Sequence, residues 1–97
     1  WMRQQRVWLG ERGRKEGIAR IHEHMWTVLK AHGHRPRADN PPLANAGMIA
    51  ESMPESAEDL HTLVWLHYRV AYGGEEEAGL IGEAEACLAR IQAALKQ

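Results

Sequence analysis

Residues 60–72, LHTLVWLHYRVAY, form the longest apolar stretch of the chain, and Gly73 and Gly74 follow them directly. At 100° per residue, a helix over this stretch collects its apolar and aromatic side chains on one side. That side holds Leu60, Leu63, Val64, His67, Tyr68 and Ala71, and it is widened by Trp65, Leu66 and Val70. Because so broad an apolar side needs several neighbours to cover it, the stretch predicts the central helix of an all-α fold.

A helix before the central one is predicted over residues 17–32. Its apolar side carries Ile18, Ile21, His22, Met25, Val28, Leu29 and His32, with Trp26 at the edge. Gly33 comes next, where glycine commonly ends a helix. Pro36, Pro41 and Pro42 then predict a loop, since proline disrupts a helix interior.

A short helix is predicted over residues 42–53. Pro42 suits its first turn, where the missing N–H has no partner to lose. The helical repeat is carried by Leu43, Ala46, Ile49 or Ala50, and Met53. Gly47 either weakens this helix by about 1 kcal/mol relative to alanine or lets another helix approach closely. Pro54 ends it.

The last helix is predicted over residues 75–96, with three glutamates (75–77) at its start and Lys96 at its end, as the helix dipole favours. A 3-4-3-4 spacing typical of an antiparallel helix pair is formed by Ile81, Ala84, Leu88, Ile91 and Leu95, flanked by Leu80 and Cys87. Ser56 is predicted to cap the central helix, with Asp59 completing a capping box. Together these segments predict a small bundle of about four helices.

Size and composition are those of one globular domain, with 97 residues, 44% hydrophobic and 26% charged. We divide it into a basic arm or linker, residues 1–16, and a helical bundle domain, residues 17–97. The single cysteine, Cys87, excludes an intrachain disulfide, as fits a reducing compartment. The sequence shows no 18-residue apolar run and no signal peptide. The chain opens with Trp1 rather than Met, and we expect it to be part of a longer protein.

Charge is distributed unevenly along the chain. Residues 1–37 contain nine Lys and Arg against three Glu, whereas residues 38–97 contain three basic and ten acidic residues. The arm supplies candidate contacts to a membrane surface or another anion: Arg3, Arg6, Arg12, Arg14 and Lys15. It can be a solvated tail, a juxtamembrane segment with Trp1 and Trp8 at the interface, or a binder of nucleic-acid phosphates. The predicted helices carry no basic stripe, which argues against nucleic acid.

Six histidines raise the question of a metal site. Residues two apart on a helix point about 200° apart, so His22 and His24 cannot share an ion. His32 and His34 lie on either side of Gly33 and could converge, but no cysteine or carboxylate stands at a matching spacing. The sequence therefore predicts no metal site and no cofactor.

His22 and His67 each lie on the apolar side of a predicted helix. We expect a core polar contact among His22, His67 and Tyr68, in which the histidines either meet or bond a carbonyl or tyrosine hydroxyl. A satisfied core histidine is the commoner outcome, and the functional alternative is a packing contact that responds to pH.

Catalytic residues are not indicated elsewhere. Cys87 has no flanking base and lies beside the predicted helix seam, where a small buried hydrophobe is expected rather than a nucleophile. The glutamates at 75–77 are explained by the start of a helix. Whether this segment is an enzyme is left open, although no catalytic set is visible in it.

The order of these signals resembles a known family. The matching residues are Trp26 through Gly33, Pro42 through Ala46, Ile49 and Ala50, Pro54 through Leu60, Leu63, Tyr68, and Ala71 through Gly73. Over roughly residues 17–95 the chain resembles the small C-terminal domain of unknown function of bacterial membrane-anchored transglutaminase-like proteins. It departs from that pattern at Pro41, where threonine is expected, and at Ala71, where arginine is usual. Asn40 would then replace the lost capping hydroxyl.

The resemblance implies a non-catalytic cytoplasmic domain, tethered to the inner membrane by a preceding transmembrane helix, that mediates interaction or regulation. Its partner would be another protein or the remainder of the parent chain. The parent would be a transglutaminase-like enzyme, a protein-glutamine γ-glutamyltransferase or a cysteine-protease type, with its catalytic residues upstream. The alternative function is a small nucleic-acid-binding or regulatory helical module.

Overall fold

The computed structural model of the chain describes residues 17–96. The predicted basic arm, residues 1–16, lies outside the described residues. Within these described residues there are four helices, α1 (Gly17–Ala31), α2 (Pro42–Ser52), α3 (Ala57–Ala71) and α4 (Ile81–Leu95), with short 3-10 turns at Pro54–Ser56 and Glu77–Gly79. Residues 17–96 contain no strand. None of the helices described here is long and apolar enough to cross a membrane.

The central position predicted for residues 60–72 is confirmed, because α3 packs against α1, α2 and α4. Three of its side chains, Leu60, Leu63 and Val64, are fully buried in the main core cluster. The other members of that cluster are Met25, Leu29, Ala46, Ile49, Met53, Cys87, Leu88 and Ile91. A smaller cluster joins Leu66 of α3 to Ile18 and Ala84. The all-α bundle predicted from the sequence is therefore the fold of the described residues.

Two side chains expected on the buried side of α3 lie elsewhere. Trp65 is 52% exposed and Ala71 is exposed. Both lie where neighbouring helices do not cover α3, since α2, α1 and α4 pack against its other faces. The apolar side is thus narrower than the sequence pattern predicts.

Glycines end α1 and α3, as the sequence predicts. Gly33 adopts φ +87°, and the N–H of His34 donates to the carbonyl of Leu29 at 2.8 Å. This Schellman-type ending needs one residue in the left-handed backbone conformation, which glycine adopts without a clash of a Cβ atom. After α3, Gly74 adopts φ +72°, and a Cβ on Gly73 would lie 2.6 Å from the carbonyl oxygen of Arg69. The chain therefore needs glycine at both positions of that turn.

The starts of the helices differ more from expectation than their ends. The α4 helix begins at Ile81 instead of residue 75. Glu77 does not cap α4; its Oε2 accepts a hydrogen bond from the backbone N–H of Ile18 in α1 at 3.3 Å. Ser56 is the N-cap of α3 but makes no capping bond through its hydroxyl. Asn40 does not cap α2 either, because Pro41 is its N-cap.

Gly47 lies in the interior of α2 without a geometric need for glycine. A Cβ built there would meet Nε2 of His61 at 3.9 Å, an ordinary van der Waals contact. We expect Gly47→Ala to raise the free energy of unfolding by about 0.5–1 kcal/mol, because alanine loses less backbone entropy in a helix. Denaturant unfolding followed by circular dichroism measures the change.

Gly33→Ala is the matched control for this variant. The same substitution there places alanine in the left-handed backbone conformation, and we expect it to lower the free energy of unfolding by about 1 kcal/mol. Equal destabilisation by both variants would contradict the conclusion that a Cβ atom fits at position 47.

Candidate functional site

Two histidines meet where α1 packs against α3. The rings of His22 and His67 stack with centroids 4.1 Å apart and an interplanar angle of 8°. One turn along α1, Trp26 donates its indole Nε1–H to Nε2 of His22 at 3.2 Å. Because Nε2 of His22 accepts this bond, the neutral ring carries its proton on Nδ1. We call His22 and His67 the histidine stack.

The histidine stack is a contact between neutral rings at pH 7. Burial lowers the pKa of His22 to about 4, and the nearby charge of His67, when protonated, lowers it further in the same direction. Burial also lowers the pKa of His67. Only 8% of His22 is exposed, so charging it would cost hydration, add repulsion within the stack and remove the acceptor used by Trp26.

A row of aromatic rings continues from the histidine stack to the surface of α3. Tyr68, the third residue of the predicted core polar contact, is half-buried against the core. Its ring makes edge-on contacts with Trp65, at a centroid distance of 5.8 Å, and with Tyr72, at 5.6 Å. We call Trp65, Tyr68 and Tyr72 the aromatic face of α3.

Exposure distinguishes this face from the core. Tyr72 is 80% exposed and Trp65 is exposed by about half, although both are large aromatic residues. Edge-on ring contacts hold such side chains in defined orientations. The i, i+3, i+7 spacing places Trp65 and Tyr68 on one side of α3 and Tyr72 at the C-cap next to them, and this spacing could have revealed the face from the sequence.

The part of the chain that the structure describes carries more acidic than basic side chains. Arg69, adjacent to Tyr68 in the sequence, is paired with Glu75, whose Oε2 lies 2.8 Å from its Nε. Residues 17–96 as a whole contain eleven acidic and seven basic side chains. The described bundle therefore carries an excess of negative charge.

Cys87 lies beside an ion pair that joins α3 to α4. Arg90 binds both carboxylate oxygens of Asp59, with distances of 2.9–3.1 Å, and its Nη2 lies 3.8 Å from Sγ of Cys87. Burial, followed by the charge of Asp59, raises the pKa of the Cys87 thiol to about 11. A thiol that remains protonated at pH 7 is a poor nucleophile. Asp59, expected in a capping box, instead pairs with Arg90 of the neighbouring helix.

The other histidine pairs considered in the sequence form no metal-binding group among residues 17–96. His22 is buried and His24 is exposed, and a ring nitrogen of His32 bonds the carbonyl of Val28 at 3.0 Å. Within residues 17–96, no three His, Cys, Asp or Glu side chains are grouped as a metal site requires. The basic residues proposed for anion contact, Arg3, Arg6, Arg12, Arg14 and Lys15, lie outside the described residues.

Comparison of the chain with protein-family models, with curated proteins and with solved structures finds no match.

Proposed function

We propose that the helical bundle is a non-catalytic interaction module that binds a basic protein segment through the aromatic face of α3. The observation that carries this proposal is the exposure of Trp65 and Tyr72, with both rings held by Tyr68. Exposed, pre-oriented Trp and Tyr side chains are typical energetic centres of protein interfaces. They also lose little conformational freedom when a partner covers them.

The basic character of the partner follows from charge. Aromatic faces attract Lys and Arg by cation–π interaction, and the excess of acidic side chains in residues 17–96 favours the approach of a basic segment. The raised pKa of the Cys87 thiol supports the non-catalytic part of the proposal.

The cellular setting is also part of the proposal and rests on the resemblance and the charge distribution. In this setting the bundle is the cytoplasmic C-terminal domain of a membrane-anchored transglutaminase-like protein. The partner is another protein or the remainder of the parent chain, and the basic arm lies against an anionic membrane surface. The transglutaminase-type chemistry belongs to the upstream part of the parent.

The binding test is a titration of the full chain with a hexa-arginine peptide, followed by NMR of the tryptophan indole N–H signals. We expect saturable shifts of the Trp65 signal, with the Trp26 signal changing less. Trp65→Ala and Tyr72→Ala are each expected to weaken binding about tenfold, because each removes a stacking surface worth about 1.4 kcal/mol.

The controls separate aromatic contact from overall charge. Both variants keep the net charge of the chain, so equal binding by wild type and variants would contradict a role for the aromatic face. Hexa-glutamate should not bind. A single-stranded DNA oligonucleotide tests the alternative function: binding that weakens steeply with salt, and that is lost on neutralising Arg3, Arg6, Arg12 and Arg14, would replace the proposal with a nucleic-acid-binding module.

A further inference from the structure

A second surface feature lies between α1 and the loop that follows it, and its lining includes none of the residues of the aromatic face. It is a cleft of about 460 Å³ whose lining includes Glu23, Trp26, Lys30, Pro36, Arg37 and Pro42. This volume lies within the range of sites that hold small molecules. The cleft combines one aromatic side chain, two proline rings and charged side chains of both signs.

The loop wall of the cleft is fixed by Asn45, a buried side chain of α2. Its Oδ1 accepts a hydrogen bond from the backbone N–H of Arg37 at 2.9 Å, and its Nδ2 donates to the carbonyl of Arg37 at 3.1 Å. These two bonds attach the loop to the helix at Arg37, one of the residues that line the cleft. The wall is thus formed before any ligand arrives, which lowers the entropic cost of binding.

The helix wall is fixed as well. The Trp26 indole is held by its hydrogen bond to His22, which in turn stacks on His67. A planar ligand would therefore find an aromatic surface whose orientation is already set.

The charged side chains that line the cleft favour the binding of an anion. Among the described residues that line the cleft, Lys30 and Arg37 are cationic and Glu23 is the single carboxylate. Arg37 has an ion pair with Asp39 at 3.5 Å, but both side chains are exposed, so this pair is weak. Its guanidinium has further N–H groups with which to bind a carboxylate.

We propose that this cleft binds a small planar aromatic carboxylate, with its ring against Trp26 and the two prolines and its carboxylate between Lys30 and Arg37. The ring fits the aromatic and proline surfaces, and the carboxylate fits the two cations. This site is independent of the aromatic face of α3, so either proposal can fail without the other.

The test is a titration of the full chain with naphthalene-2-carboxylate, followed by the indole N–H signal of Trp26 and the backbone N–H signal of Arg37. We expect saturable shifts of both signals. Lys30→Gln and Arg37→Gln are each expected to weaken binding about three- to tenfold. The matched control is Arg35→Gln, since Arg35 is an exposed neighbour on the same loop and should leave binding unchanged.

Two further probes decide between outcomes. The neutral analogue 2-naphthalenemethanol should bind at least threefold more weakly, and Trp65→Ala should bind the carboxylate as wild type does. Absence of saturation at 10 mM carboxylate would overturn the proposal, as would equal binding of the neutral analogue or equal weakening by Arg35→Gln. Circular dichroism of each variant verifies that the bundle is folded.

Discussion

Lowering the pH from 7 to 4.5 is expected to destabilise the bundle by about 2 kcal/mol through His22 alone. The pKa of this histidine is about 4 in the folded chain, below its ordinary value of 6.5. The unfolded chain therefore binds more protons between these values, and each pKa unit corresponds to about 1.36 kcal/mol. The stabilising contribution of neutral His22 is complete above pH 6.5 and is lost as the pH falls toward 4. His67, which faces it from α3, shifts in the same direction.

The measurement is the free energy of unfolding in denaturant at pH 7 and pH 4.5. His22→Gln removes the titrating group and keeps an oxygen that can accept a hydrogen bond from Trp26. We expect its pH dependence to be smaller than that of wild type by about 2 kcal/mol. Carboxylates titrate in both proteins and cancel in the comparison.

His24→Gln is the control for this experiment. His24 lies two residues away on α1 and is exposed, so the variant should keep the wild-type pH dependence. If His22→Gln and His24→Gln respond to acid equally, the histidine stack does not contribute as described.

Leu63→Ala is expected to lower the free energy of unfolding by about 3 kcal/mol. Leu63 is fully buried on the central helix. Truncation there loses buried methyl groups and leaves a cavity, which together cost about 2–5 kcal/mol. A domain of this length has a total stability of about 5–15 kcal/mol, so the loss is a large part of the whole.

Thermal and denaturant unfolding of the variant measure this loss. Leu95→Ala is the matched control, because Leu95 is only partly buried at the end of α4. It should cost about 1 kcal/mol, in proportion to the smaller apolar area that it buries. Similar losses for both variants would contradict the central position of α3.

The sequence predicts the helices and the residues of the core because apolar periodicity reports directly on which side of a helix is buried. Leu60, Leu63 and Val64 follow this rule. Trp65 does not follow it, because Trp65 lies at the edge of the apolar side of α3. Whether a side chain at that edge is buried depends on where the neighbouring helices pack. That placement depends on the whole fold.

Helix starts are harder to predict because the free backbone N–H groups of a first turn can bind acceptors that lie far away in the sequence. Asp59 has the spacing of a capping box, yet it binds Arg90, which is 31 residues away in sequence. The candidate sites show the same limit. Apolar periodicity places His22 and His67 on helix faces, but only the packing of α1 against α3 shows that their rings stack.

The bond between Glu77 and the N–H of Ile18 spans 59 residues and has a consequence for synthesis on the ribosome. Helix α1 leaves the exit tunnel long before this carboxylate has been translated. Until then, this amide lacks its Glu77 acceptor, so the nascent helix lacks one of the contacts that stabilise it in the folded domain. The domain can therefore reach its final structure only after the turn that carries Glu77 has emerged.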